Sequence, residues 1–162
     1  MKRLRSGPIV DNLASNEVRP DGAHTPAAGR AIAATLASLA RRETHIICGM
    51  INTKDVQGFL APIAEHCVSL TAITIPNEPN AVPAANLVAA GQACGISSAE
   101  GGPINQVLAG LAQRQPEARI LICGSLYVAG HVLRENDESA YLKPLSPLAP
   151  IVGLHFTQTR CG

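Results

Sequence analysis

The stretch Ala118-Arg119-Ile120-Leu121-Ile122-Cys123-Gly124-Ser125 decides the fold. Its centre is apolar at consecutive positions, without the alternation of a strand that shows one face to water. It therefore reads as a strand, residues 118–123, covered on both faces. Gly124-Ser125 breaks the run, and Leu126, Ala129, Val132 and Leu133 then recur at helical spacing through residues 125–135. A buried strand that runs straight into a helix is the repeating unit of a parallel sheet wrapped by helices.

The same grammar extends outward. Residues 45–50, with Ile46-Ile47-Cys48 at their centre, and residues 69–76 read as further strands, and the apolar run at 8–13 as a fourth. Helical patterns lie between them. Residues 26–42 carry Ile32, Leu36 and Leu39 behind Thr25-Pro26, an N-cap followed by proline at the first helical position. Residues 55–66 place Val56, Phe59, Leu60 and Ile63 on one face. Residues 83–94 begin with Pro83 and stop before Gly95, and residues 103–114 carry Ile104, Val107, Leu108 and Leu111. Repeated strand-then-helix order implies right-handed crossovers and an α/β domain with a mostly parallel, doubly wound sheet. Such sheets bind ligands at the carboxyl ends of their strands. The loops at 21–26, 49–55 and 124–127 are thus where chemistry is expected.

The bulk numbers narrow the function. A chain of 162 residues, 46% hydrophobic and 15% charged, suits one hydrophobic core. A net charge of +1 gives no basic field for nucleic acid or an anionic membrane, and Lys2, Arg3 and Arg5 read as a solvated strand end. No run approaches the roughly 20 apolar residues of a membrane span. The five cysteines include no C-x-x-C pair, and the histidines show no metal spacing. Cys48 and Cys123 sit in apolar runs, as buried reduced thiols do. With no secretory leader pattern at the start, the expected location is cytoplasmic.

Three catalytic fingerprints are missing. The sequence has no G-x-x-x-x-G-K-[ST] phosphate loop, no G-x-G-x-x-G dinucleotide turn and no G-x-S-x-G nucleophile turn. The informative loop is instead Asp21-Gly22-Ala23-His24-Thr25-Pro26. One reading makes it an N-capping turn with Asp21 bonded locally. The other aims the amide groups of the following helix at an anion, with Asp21 accepting from sugar hydroxyls and His24 beside a phosphate or base.

Asp21-Gly22-Ala23-His24-Thr25-Pro26 resembles the D-G-A-H-N-P segment of folylpolyglutamate synthases. Gly49-Met50-Ile51-Asn52-Thr53-Lys54-Asp55 is similar to that family's G-M-x-x-x-K-D, and Cys123-Gly124-Ser125-Leu126-Tyr127-Val128-Ala129-Gly130 to its T-G-S-L-Y-x-x-G. Pro76-Asn77-Glu78-Pro79-Asn80-Ala81 matches a proline-marked loop before a helix. The resemblance covers about residues 3 to 136. It implies the C-terminal domain of folylpolyglutamate synthase and dihydrofolate synthase, in the Mur ligase superfamily: a Rossmann-like, three-layer α/β domain. In that family an N-terminal P-loop ATPase domain binds ATP, Mg²⁺ and most of the folate and forms an acyl phosphate. The C-terminal domain brings glutamate, whose amine attacks it.

Carried onto this sequence, the resemblance puts Asp21 on the ATP ribose and His24 near the nucleotide. It puts Lys54 on a carboxylate of the incoming glutamate and Ser125 on the same amino acid. From the residues alone, Lys54 also reads as a solvated loop lysine, Ser125 as an N-cap and Tyr127 as a packing residue. Thr25 stands where the family has Asn, which exchanges an amide for a hydroxyl. The family's P-G-R segment would fall before Met1, and the P-loop domain is absent from these residues. The expectation is a domain, residues 1–138, that makes glutamate and nucleotide contacts but neither ligates nor holds a cofactor tightly alone. The alternative is a stand-alone, non-catalytic nucleotide or amino-acid binding domain or a gene remnant. Residues 139–162 form a tail with Pro144, Pro147 and Pro150 at three-residue spacing, which disfavours a continuous helix.

Overall fold

In a computed structural model, which describes residues 1, 3–13, 15–51 and 55–141, with side chains to 137, the chain builds a five-stranded sheet. The elements are α1 (Pro8–Asp11), β1 (Glu17–Pro20), α2 (Pro26–Ser38), β2 (Thr44–Cys48), α3 (Val56–Leu60) continued by a 3₁₀ helix (Ala61–His66), β3 (Ser69–Ala72), α4 (Ala84–Ala93), β4 (Ser97–Glu100), α5 (Ile104–Arg114), β5 (Arg119–Cys123) and α6 (Leu126–Tyr141). Strand order is β1-β5-β2-β3-β4, and every pairing is parallel.

The continuous apolar run at 120–123 is explained by its position. β5 lies between β1 and β2, and alternate side chains enter opposite cores. Leu121 and Cys123 join Ile46, Cys48, Phe59, Leu60 and Leu87 beneath α2, α3 and α4. Ile120 and Ile122 join Ile47, Ile104, Leu108, Val128 and Val132 beneath α5 and α6. A strand with helices on both sides has no wet face, so it needs no polar alternation.

Two strands escape the sequence reading. The run at 8–13, expected as a strand, is the short helix α1: Pro8 takes its first turn, where a missing N–H costs nothing, and the Asn12 side-chain amide donates to the Pro8 carbonyl at 2.7 Å. The true first strand, Glu17-Val18-Arg19-Pro20, hides behind its charges. Those charges are tolerated because Glu17 pairs with Arg19 and, at 2.9 Å, with Arg119 of β5. The other edge, β4, is Ser97-Ser98-Ala99-Glu100, largely exposed and too polar to announce itself.

Helix ends also move. α2 stops at Ser38, short of residue 42. The helix expected over 55–66 tightens to 3₁₀ geometry at Ala61, because Pro62 lacks the N–H needed to continue α bonding and its ring crowds the preceding turn. On α6 the buried apolar residues among those described are Val128, Ala129 and Val132, while Leu126 and Leu133 face out. Among the described residues no helix is long and apolar enough to cross a membrane. Cys48 and Cys123 are both buried free thiols.

Candidate functional site

Which face a helix covers fixes where crevices open. The helices after β1 and β2 cover one face, whereas the helix after β5, placed between those two strands, covers the other. The chain therefore leaves the carboxyl end of β5 in the opposite direction from both neighbours, which opens a crevice on each side of it. The lips of that crevice are the loops beginning at Asp21, Gly49 and Gly124.

Backbone bonds hold these lips together. The Asp21 amide donates to the Ile122 carbonyl at 2.8 Å, the Gly124 amide to Ala23 at 2.9 Å, and the Gly49 amide to Cys123 at 3.2 Å. Gly124 has φ +102, and a Cβ there would lie 2.7 Å from the Gly49 carbonyl oxygen and 2.8 Å from the Cys48 Sγ. Only glycine both adopts that backbone and admits that approach. Beyond Met50 the rim is extended by the proline-marked loop: the Val82 amide donates to the Met50 carbonyl at 2.8 Å, and Ile51 bridges to Ala81.

Each expected site residue that the structure describes has a local job in this rim. Asp21 Oδ1 accepts from the Ala23 amide at 2.9 Å, and Oδ2 pairs with the Met1 amino group at 2.8 Å. His24 Nδ1 donates to the Gly22 carbonyl at 3.0 Å. That bond leaves Nε2 to accept a hydroxyl proton, or to donate to a phosphate oxygen when protonated. Thr25 caps α2, its hydroxyl accepting from the Ala28 amide at 3.2 Å, so the hydroxyl that replaces Asn is used inside the loop. Ser125 is buried, and its Oγ accepts from the Tyr127 amide at 3.1 Å. Capping occupies a lone pair and leaves the O–H proton free to donate. Lys54 lies outside the described residues. Asp55 beside it caps α3, accepting from the Gly58 amide at 2.8 Å.

The loops carrying Asp21, His24 and Ser125 thus meet along one edge, with the carboxyl end of β2 adjoining. The same rim exposes apolar surface: Leu126 is 70% exposed and Tyr127 61%, so Tyr127 does not pack inward as its sequence position suggested. Tyr127 also borders a cavity of about 660 Å³ with Asn77, Glu100, His131 and Arg134. Asn77 sits there at φ +58, a conformation that asparagine tolerates better than most residues. His131 Nε2 lies 3.1 Å from Glu135 Oε1. This cavity was not singled out from sequence. Its signal was the spacing of residues 127, 131 and 134, which puts them on one face of α6. Among the described residues no group of three or more His, Cys, Asp or Glu side chains is placed to hold a metal ion.

Comparison with known proteins agrees with the fold. E. coli FolC in complex with ADP, without folate substrate, matches with a TM-score of 0.67 and 23% identity over 79% of this chain and 30% of that one. Mycobacterium tuberculosis folylpolyglutamate synthase complexed with ADP and AMPPCP matches at 0.64 and 27% over 81% and 30%. A bifunctional folylpolyglutamate synthase/dihydrofolate synthase with Mn, AMPPNP and L-glutamate bound matches at 0.65 and 22% over 80% and 30%. The chain therefore spans about 30% of the length of these solved proteins. A sequence search of curated proteins gives no match. The sequence profile of the Mur ligase glutamate ligase domain matches residues 10–126, from α1 through β5 to the first residue of α6, and on that match the chain belongs to the Mur ligase family as its glutamate ligase domain.

Proposed function

We propose that this chain is the C-terminal domain of an ATP-dependent folylpolyglutamate synthase or dihydrofolate synthase, which presents glutamate and closes over a nucleotide held by an N-terminal P-loop domain. The observation that carries this reading is the stitched rim: the Asp21–His24 loop and the Gly124–Ser125 loop share a backbone hydrogen bond at a topological crevice. Exposed Leu126 and Tyr127 on the same edge are apolar surface that a closing domain would cover.

In this proposal Asp21 accepts from the ribose hydroxyls, and His24, its Nδ1 held by Gly22, offers Nε2 to the nucleotide. The Ser125 hydroxyl donates to a carboxylate of glutamate while its oxygen caps α6, and Lys54 is assigned to that amino acid from sequence. ATP with Mg²⁺ supplies activation of the folate carboxylate as an acyl phosphate. This chain's part is to bind and orient the amine donor and to exclude water. Positioning and cations around the γ-phosphate dominate phosphoryl transfer, and the described residues build no such cradle, so the chain alone is assigned no catalysis. Folate and glutamate are the small-molecule partners.

Calorimetric titration of ADP and of L-glutamate onto the chain tests the sites. Asp21→Ala and His24→Ala should weaken ADP by about tenfold, and Lys54→Ala and Ser125→Ala should weaken glutamate, at roughly 1.4 kcal/mol per tenfold. Equal responses from wild type and all four variants would remove the assignments. ADP release coupled to folate–glutamate joining by the purified chain would overturn its non-catalytic status.

A further inference from the structure

The cavity of about 660 Å³ beside Tyr127 is not used by the contacts assigned above. It opens at the carboxyl ends of β3 and β4, the edge on which ligands sit in a doubly wound sheet. Its walls are the loop at Asn77, the first turn of α5 and one face of α6. Its charged side chains are Glu100, His131, Arg134 and Glu135. His131 and Glu135 engage each other at 3.1 Å. Arg134 takes part in none of the ion pairs found among the described residues. Its guanidinium folds back along α6, and one Nη lies 3.9 Å from the place a Cβ on Gly130 would occupy. Gly130 thereby leaves room for an arginine laid along the helix toward the crevice. The amino end of α5, 11 residues long, opens into the same cavity, and Pro103 before it makes no side-chain cap, so the local dipole also favours an anion.

We propose that Arg134 receives the side-chain carboxylate of the incoming glutamate in this cavity, and is the residue that separates glutamate from glutamine. The inference rests on the glutamate reading above and extends it. Glutamate brings two carboxylates, and that reading supplies one cation, Lys54, together with the Ser125 hydroxyl. A second carboxylate taken from bulk water needs a second partner. Ser125 to Gly130, the level to which the guanidinium folds back, is about 7.5 Å along a helix. The two carboxyl carbons of an extended glutamate are about 5 Å apart, and a charge-assisted hydrogen bond adds about 3 Å at either end. One molecule therefore reaches from the Ser125 hydroxyl to the guanidinium. A guanidinium has only donors, so it pairs with both oxygens of a carboxylate but with only one atom of an amide. Glu100, at the end of β4, repels a carboxylate placed on its side, which leaves the Arg134 side as the favourable one. Exposed Tyr127, between Ser125 and Arg134 in sequence, offers a ring to the ligand's methylene groups.

NMR titration of L-glutamate and of L-glutamine onto the full chain tests this. Wild type should bind glutamate more tightly than glutamine. Arg134→Gln should weaken glutamate about fivefold, the upper range for an exposed ion pair, and leave glutamine unchanged, so that the preference disappears. Arg134→Lys should keep part of the preference. Ser125→Ala should weaken both amino acids alike. Arg134 is exposed, so its substitution should leave the far-ultraviolet dichroism unchanged. Glutamate binding that Ser125→Ala weakens, with the preference over glutamine intact in Arg134→Gln, would overturn this inference and leave the glutamate reading standing. Absence of any response to glutamate in wild type would overturn both.

Discussion

The Gly124 amide donates to the Ala23 carbonyl at 2.9 Å, fastening the loop that leaves β5 to the loop that leaves β1. These residues are far apart in sequence, and their bond helps set the width of the crevice in which nucleotide and amino acid are proposed to meet. The geometry depends on Gly124 keeping φ +102 with only a hydrogen in the space above Cys48 and Gly49.

Gly124→Ala should therefore be costly although it adds a single methyl group. The new Cβ meets a backbone carbonyl, which cannot swing aside. A loss of about 2–3 kcal/mol is expected, seen as a fall in Tm of roughly 5–10 °C for a chain of this size. An unchanged melting temperature would show that the rim relaxes freely.

Arg119 is buried at the amino end of β5, bonded to Glu17 at 2.9 Å and to the Ala40 carbonyl at 3.0 Å. Arg119→Met keeps roughly the side-chain volume but leaves Glu17 with Arg19 alone as its partner. A loss of about 3–5 kcal/mol is expected in urea unfolding, as when one member of a buried pair is removed. Arg119→Met combined with Glu17→Leu should recover part of that loss, because the buried carboxylate leaves with its partner and only the less buried Arg19 is left unpaired. Failure of the double variant to recover stability would show that the pair matters through its other bonds.

Two buried groups give the stability a defined acid dependence. Burial, reinforced by Arg114, lowers His45 below its ordinary 6.5 against the opposing pull of Glu43. The native state then holds fewer protons than the unfolded chain, and stability should begin to fall as pH drops through 6.5. Burial alone would raise Glu17, but hydrogen bonds and charge from Arg19 and Arg119 outweigh it and hold the carboxyl below 4.5. Its contribution is present above 4.5 and is lost as pH falls from there through the lower native value. Urea midpoints between pH 8 and 3 should show both declines. His45→Gln should remove the upper decline and leave the lower one.

Cys48, Cys67 and Cys123 should be unreactive in the native state. Cys48 and Cys123 are buried, and burial, with a smaller push from Cys94, raises Cys67 to about 11. At pH 7.5 fewer than about one Cys67 in a thousand is thiolate. Labelling by an alkylating reagent, mapped by mass spectrometry, should be slow at all three positions and should accelerate together in denaturant. Rapid modification of Cys48 or Cys123 without denaturant would show that the sheet opens locally.

The amino-acid sequence by itself determined the strand-helix alternation, the buried central strands β2 and β5, and the loops in which polar residues gather. Those features are local, since a run such as Ile120-Leu121-Ile122-Cys123 carries its own burial in its composition. The edges were decided only by tertiary structure. Glu17 and Arg19 form a strand because Glu17 is neutralised both by Arg19 and by Arg119, distant in sequence, and Ser97–Glu100 does so because β3 offers an open edge. Pro8–Asp11 turned helical because proline at the first position, with an asparagine bond across the turn, outweighed the β preference of Ile9 and Val10. The motifs named Asp21, His24 and Ser125 as candidates, but only the sheet order, which inserts β5 between β1 and β2, put their loops within one hydrogen bond of each other. Strand order is a long-range choice set by which buried faces fit together, and no window of local sequence contains it.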